Sequence, residues 1–357
     1  MTTTAEVNSL TAGKLPRSAP WTMLAASLAV FVIGSFIFEA AGLTDDVNWI
    51  GAVILGSIFF VILNYVVALL VEGRRQAADR LVTSLVLGAF IIALIPLVWL
   101  LETVVQYGAA TVLNGTFLNN SMRNVVGEGG GALHAIVGTL EITGIAALIS
   151  VPVGLMTAIY LVEYGRGRLA RAITFLVDVM TGIPSIVAGL ATYALFVIFL
   201  GEGIKLGFAG SVALSILMIP VVVRSSEEIL KLVPNELREA SYALGVPKWL
   251  TIVRIVLPTS VAGITTGVML AISRVIGETA PLLIVAGFTT SMNYNPFSER
   301  MMSLPVFVYN QYVSPGTEAN FYIERAWAGA LTLILIVALL NLIARVVSHF
   351  FSPKLSR

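Results

Sequence analysis

Apolar residues in this chain run in long unbroken blocks, with neither the strict alternation of a half-buried strand nor the single stripe of a surface helix. A block of about 20 apolar residues is enough for an α-helix to cross the roughly 30 Å hydrocarbon core of a bilayer. Read this way, the chain predicts eight spans, near residues 21–43, 48–72, 81–106, 134–163, 172–200, 207–224, 259–288 and 326–350. The sixth is short and closes on Val221-Val222-Val223-Arg224. Only helices or closed barrels satisfy their backbone in lipid. The expectation is therefore an all-α fold: a polytopic membrane helical bundle of about eight transmembrane helices.

Composition agrees. Of 357 residues, 57% are hydrophobic and 11% charged, and the mean hydropathy is +0.93. A water-soluble domain carries about 25% charged residues. The net charge of +1 gives nucleic acid nothing to bind. The absence of cysteine excludes a disulfide framework, a thiolate metal site and a thiol nucleophile. Two widely separated histidines make no metal cluster, so no cofactor is expected in this chain.

Charge also orients the bundle. With both termini inside, the inner segments hold Lys14, Arg17, Arg74, Arg75, Arg80, Arg166, Arg168, Arg171 and the five cations from Arg224 to Arg254. Arg345, Lys354 and Arg357 bring these to sixteen of the 21 basic residues. The outer segments hold Arg123, Lys205, Arg300 and Arg325, and Arg274 lies within a span. That asymmetry places residues 1–20 and 351–357 as cytoplasmic tails and 107–133 as an external loop, with a second outer segment at 289–325. The apolar stretch from Trp21 to Phe38 is already span-length and lacks a small-residue cleavage site, so it reads as a retained helix and not as a signal peptide.

Two segments carry candidate chemistry. The inner loop 234–258 is punctuated as two short helices. Pro234 suits a first helical turn, Glu236 and Glu239 lie near its positive dipole end, and Gly245 stands where a C-terminal cap belongs. Pro247 starts a second helix that stops by Pro258. Leu237, Ala240 and Leu244, with Ala243 beside them, share one face of the first helix, low enough in profile for another protein's groove. On periodicity alone, an amphipathic helix lying on the membrane fits equally well.

The second segment is Ser273-Arg274-Val-Ile-Gly277-Glu278-Thr279-Ala-Pro281, within the seventh span. Arg274 and Glu278 are four apart and share a helix face. A central arginine in lipid costs about 2.5–3.5 kcal/mol on insertion scales. The pair must face protein or a watery path, either as a mutual salt bridge or as a positive station for an anion. A guanidinium fork matches a tetrahedral oxyanion.

Other positions have two readings each. Asp178 could line the path or bond to a neighbouring helix. Gly182-Ile-Pro184-Ser185 breaks the fifth span, as a packing kink or as unwound backbone near substrate. His134 reads as an interfacial side chain or as a ligand. Gly263-x-x-x-Gly267 allows ordinary close helix approach.

Glu239-Ala-Ser-Tyr-Ala-Leu-Gly245, followed by Ile255-Val-Leu-Pro258, resembles the EAA loop of ABC-importer membrane subunits, with Ser241 in place of the second alanine. Arg274-Val-Ile-Gly-Glu278-Thr-Ala-Pro-Leu282 and Ala286-Gly-Phe288 resemble the PstA family, a permease subunit of the phosphate-specific ABC importer. So do Gly131-Ala-Leu-His134, Val177-Asp178-Val-Met-Thr-Gly182-Ile-Pro184-Ser185, Ser303-Leu-Pro305 and Glu324-Arg-Ala-Trp327.

The resemblance implies a type I ABC-importer permease core at 134–350, with coupling loop 234–258 and helices added within 21–106. It implies a substrate path at Arg274, Glu278, Thr279, Ser273 and Asp178, and ATPase coupling through Glu239, Ala240, Ser241 and Gly245. The implied partners are a PstB-type ATPase dimer, a PstC-like second permease subunit and a PstS-type external phosphate-binding protein, in a prokaryotic inner membrane. The residues alone leave sulfate, molybdate or phosphonate import open, and also a secondary anion transporter or channel. No Gly-x-x-x-x-Gly-Lys-Ser/Thr sequence occurs, so ATP hydrolysis is expected in a partner and not in this chain.

Overall fold

The computed structural model describes residues 13–42 and 46–351. Most of the predicted N-terminal tail, the last residue of the first predicted span and the C-terminal tail from Ser352 lie outside the described residues. The chain divides into two compact units, Met1–Leu101 and Glu102–Arg357.

In the first unit, α1 (Ala19–Ala40) and α2 (Trp49–Val71) form a hairpin, followed by α3 (Arg74–Leu113), which begins here. Lipid tails are as apolar as leucine, so small residues and hydrogen bonds decide how membrane helices meet. Gly56 of α2 faces the backbone of α1, where an added Cβ would stand 3.2 Å from Leu28 Cα. Asn64 Nδ2 donates to Ser84 Oγ at 3.2 Å, joining α2 to α3. At the α2–α3 turn, the carboxylate of Glu72 accepts from Leu15 N (2.8 Å), Arg80 Nε (2.6 Å) and Arg80 Nη2 (2.8 Å). The Arg80 guanidinium holds the Glu72 carboxyl below the usual carboxylate range.

The second unit is built around α8 (Gly207–Lys231), the most enclosed of the long helices. α5 (Leu133–Ile159, continuing as a π-turn over Tyr160–Tyr164) packs along it. So do α6 (Arg168–Thr181), α7 (Ser185–Leu200) and α11 (Leu257–Val275). Small residues make this possible. Ala209, Gly210, Ala213 and Ser215 are buried, and Ser215 Oγ bonds to Ser211 O within α8 (2.8 Å) and Ala146 O across the crossing (3.4 Å). On the α11 side, Gly263 lies against Ile229 and Gly267 against Ser225, so this spacing serves packing within the chain.

Several predicted boundaries move. α3 runs to Leu113, seven residues past the predicted end of the third span, and the short α4 (Thr116–Asn119) follows it. Its 40 residues make about 60 Å of helix at 1.5 Å per residue, twice the hydrocarbon thickness. The predicted fifth span is two helices bent by 108° between Thr181 and Ser185. Pro184, at ψ 138, cannot continue a helix, and Gly182 caps the one before it. Seven described helices are thus long and apolar enough to span, and an eighth counts only if the bent pair is one span. The sixth span extends to Lys231.

Pro258 does not end a helix. α10 (Lys248–Thr251), a π-turn (Ile252–Val256) and α11 form one rod from Lys248 to Val275. The wide turn precedes the proline and absorbs its missing donor. The rod then stops at Val275, and a separate α12 (Ala280–Val285) follows, so the predicted seventh span is broken.

The outer segment 289–325 is not an open loop. It folds as α13 (Leu304–Val313), whose Leu304, Pro305, Val306 and Phe307 are buried, before α14 (Ala319–Phe351). Arg325 of α14 clamps the external loop. Its Nη1 donates to Gly127 O (2.7 Å) and Gly129 O (2.9 Å), its Nε to Gln311 Oε1 (3.0 Å), and it stacks on Tyr322 at 4.5 Å.

If the α8–α11 contact depends on the missing side chain at Gly267, Gly267→Leu should lower the thermal denaturation midpoint in detergent. Overpacking of this kind costs about 1–3 kcal/mol. Gly144→Ala, where no atom lies within 4 Å of an added Cβ, should leave it unchanged.

Candidate functional site

Two helix breaks meet at one cavity of about 200 Å³. One is the Gly182–Pro184 elbow, which contributes Met180, Thr181, Ile183 and Ser185. The other is the end of α11, which contributes Arg274 and Glu278, while Leu217, Pro220 and Val221 of α8 form the remaining wall. Broken backbone is tolerated at membrane depth only against protein or a polar cavity. The elbow's hydroxyls and the charges of the second break give this cavity its polar character.

The α7–α12 contact holds the two breaks together. Gly189 lies directly on Pro281, where an added Cβ would come within 2.8 Å of Pro281 Cα. Thr181 Oγ1 donates to Val177 O at 2.9 Å, which leaves its oxygen as an acceptor.

Arg274 is exposed and Glu278 half-buried, and among the described residues neither forms an ion pair within 4.0 Å. The mutual salt bridge considered from the sequence is absent from this conformation. Arg274 ends the α-helix at a C-terminal turn, and Glu278 lies in the break, so four-residue spacing no longer implies a side-by-side pair.

The other predicted path residues are not among those lining this cavity. Ser273 faces α14, where its Oγ accepts from Asn341 Nδ2 at 3.1 Å. Thr279 precedes α12, and its carbonyl accepts from Leu283 N at 3.0 Å. Asp178 pairs with Arg224 of α8, which is the neighbouring-helix bond. Arg224 also binds Glu227 (2.8 Å), which binds Lys231 (2.7 Å). Sequence reasoning missed this ladder, although an Arg-x-x-Glu-x-x-x-Lys spacing at the end of α8 signals it. His134 is buried edge-on to Phe307 at 5.7 Å, with no hydrogen-bond partner on either ring nitrogen among the described residues; it is not interfacial.

At the far end of α8 the loop forms α9 (Asn235–Ala243). Its end is a Schellman motif: Val246 N donates to Ser241 O (3.2 Å) and Gly245 N to Tyr242 O (2.9 Å). Gly245 takes φ +77 in open space, so its backbone and not crowding demands glycine. Glu239, Ala240, Ala243 and Gly245 are exposed, with Leu237 and Leu244 beside them. Leu244 is 83% exposed. Ser241 is buried instead, sharing a 2.8 Å hydrogen bond with Thr251, so it braces the two loop helices and is not part of the exposed face.

The loop is anchored on the π-turn that ends α5. Arg238 bonds to Glu163 (2.9 Å) and to the carbonyls of Val233 (2.6 Å) and Leu230 (3.0 Å). Lys248 donates to Glu163 O and covers the Tyr164 ring at 4.8 Å.

Residues 150–357 match the family described as binding-protein-dependent transport system inner membrane component. The chain is 49% identical over 276 residues to the phosphate transport system permease protein PstA 1 of Mycobacterium tuberculosis, covering 77% of this chain and 90% of the relative. It is 40% identical over 285 residues to PstA of Pasteurella multocida, covering 78% and 96%. Among solved structures it resembles the inward-facing MetNI methionine ABC transporter (TM-score 0.51, 19% identity, 62% of this chain and 96% of that one). A bacterial ABC transporter involved in the import of alginate is also similar (TM-score 0.52, 14% identity, 77% of this chain and 97% of that one). At those identities the structures speak to the fold alone.

Removing one partner of a buried pair costs about 3–5 kcal/mol. Arg238→Gln should therefore loosen the loop from the π-turn and speed proteolytic cleavage within 234–258, while exposed Glu239→Gln should not.

Proposed function

The chain belongs to the PstA family of phosphate transport permeases, and we propose on that premise that it is the membrane permease subunit of an ATP-driven phosphate importer. The observation that carries this reading is the relation to PstA proteins over most of both chains, which the exposed loop and the arginine-bearing cavity then make physically intelligible.

The proposed partners are a PstB-type ATPase dimer, a PstC-like second permease subunit and a PstS-type external phosphate-binding protein. The proposed setting is a prokaryotic inner membrane with both termini cytoplasmic, as the basic-residue asymmetry supports. ATP hydrolysis belongs to the partner, since the chain carries no P-loop sequence.

Coupling follows from the loop's build. Leu237, Ala240, Ala243 and Leu244 offer a low apolar ridge to a groove in the ATPase. Force on α9 passes through Arg238 and Lys248 to the end of α5, and through the continuous α10–α11 rod to Arg274. The ATPase acts only by favouring one conformation of the bundle over another. At the cavity, Arg274 presents donors that fit a tetrahedral oxyanion. Ser185 adds a hydroxyl donor, Thr181 an acceptor for a P–OH proton, and Glu278 opposes an anion's residence, so that release stays possible. No observation favours the other oxyanions or a partner-free transporter.

In cells carrying the full transport system, Arg274→Gln should cut labelled phosphate uptake about ten- to a hundredfold, since hydrogen bonds to charged groups are worth about 1.5–3 kcal/mol each. The assembled complex should persist on co-purification, and sulfate and phosphonate should compete poorly with phosphate in the wild type. Normal uptake by that variant would leave Arg274 a structural role at most. Gly245→Val should abolish uptake without preventing membrane insertion, because it forces a β-branched residue to positive φ.

A further inference from the structure

At the end of α8 opposite α9, a second cavity of about 470 Å³ lies between the α7–α8 connection and the chain following α12. Its lining includes Lys205, Arg300, Thr289 and Glu299. The aliphatic stems of the two cations come together over Gly287, where an added Cβ would lie 2.7 Å from Lys205 Cδ and 3.4 Å from Arg300 Cδ and Cγ.

The backbone fixes this convergence. Leu206 N donates to Val285 O (3.0 Å) and Met301 N to Ala286 O (3.2 Å), so the residues next to each cation bond to consecutive carbonyls at the end of α12. Phe208 N donates to Pro296 O (2.7 Å), and Asn293 Nδ2 to Ser298 O (2.7 Å) and Arg300 O (3.1 Å), which braces the intervening loop. Gly287, at φ +80, lets the chain turn beneath both side chains.

Among the described residues, neither cationic side chain makes an ion pair or hydrogen bond. Glu299 shares the cavity, but its carboxylate oxygens lie beyond 4.0 Å from the side-chain nitrogens of both. Like charges held together each raise the free energy of the other, and an anion between them reverses that cost. These are also two of the four basic residues assigned to the outer side, so their meeting is not the product of a generally basic surface. α12, about 9 Å long at 1.5 Å per residue, separates this pair from the break that carries Glu278.

We propose that Lys205 and Arg300 form a second oxyanion site, which receives inorganic phosphate at the outer end of the path before it reaches Arg274. The inference rests on the phosphate-importer reading for the identity of the anion. The rigid frame positions the two cations without a bound ligand, and their separation in sequence means that only the folded bundle creates the site.

The test has two arms. In the reconstituted full complex, Lys205→Gln combined with Arg300→Gln should reduce labelled phosphate uptake about tenfold while the external binding protein still co-sediments with the vesicles. The exchanged pair, Lys205→Arg with Arg300→Lys, should restore most of it. Full uptake by the neutral variant overturns the proposal, and so does loss of binding-protein association along with uptake, which would make the pair a docking contact. In the second arm, Thr289→Cys gives this cysteine-free chain one thiol in the cavity. Millimolar inorganic phosphate, but not chloride, should slow its labelling by a neutral maleimide, and the Lys205→Gln and Arg300→Gln changes should remove that protection. Absence of protection overturns the site. A wild-type complex that imports no phosphate instead refutes the phosphate-importer reading, and the labelling arm, run also with sulfate, still reports whether an oxyanion binds.

Discussion

Close approach to α8 is the constraint on which the second unit depends. Lipid provides no hydrophobic force to drive apolar helices together, so they associate where backbones can come near and hydroxyls can reach carbonyls. α8 supplies both: Gly210 and Ser215 meet α5, Ala209 and Ala213 pack with α7 and α12, and Gly263 and Gly267 of α11 come against Ile229 and Ser225. Because α8 is the shared neighbour, the elbow on one side and the end of α11 on the other have fixed positions relative to one wall. The cavity at Arg274 is what remains between them.

The same helix links the two ends of the bundle. Its last turns carry the Arg224–Glu227–Lys231 ladder that holds Asp178 of the elbow, and the carbonyls of Leu230 and of Val233 just beyond it receive Arg238 from the loop. Its first residue follows the Lys205 segment, which is bonded to the end of α12. Charges thus lie at both ends of α8 and near the breaks, while the stretch from Gly207 to Val223 carries none. That distribution is what a helix enclosed at membrane depth requires.

Much of this was legible in the sequence. The apolar blocks located the long helices because the bilayer sets the minimum apolar length of a span, though not where the helix ends, as α3 shows. Gly245 announced a cap, and the structure gives it the positive φ that a cap requires. The Gly182–Pro184 break and the Arg274–Glu278 pair marked the two sides of the cavity. What escaped was of a different kind. Helix spacing put Arg274 beside Glu278 only while the helix was assumed to continue, and it stops between them. Ser273 and Ser241 entered the implied path and coupling sets through the motifs that contain them, yet each turns toward a neighbouring helix or loop strut, a direction that one sequence does not encode. Pro258 read as a stop because a proline normally ends the α-helical ladder; the preceding π-turn removed that conflict. α13 looked like loop because ten residues are too few to span, although they are apolar enough to be buried.

That π-turn has a mechanical consequence. A stop at Pro258 would have placed a hinge between the loop and the bundle, and a hinge dissipates torque. Instead, 28 residues from Lys248 to Val275 form a single strut of about 42 Å at 1.5 Å per residue. Pivoting such a strut near its base by about 10° would sweep its far tip by roughly 7 Å, a displacement larger than the reach of any hydrogen bond. A small angular motion at one surface of the membrane is thereby geared up into the making or breaking of contacts at the guanidinium on the strut's other end.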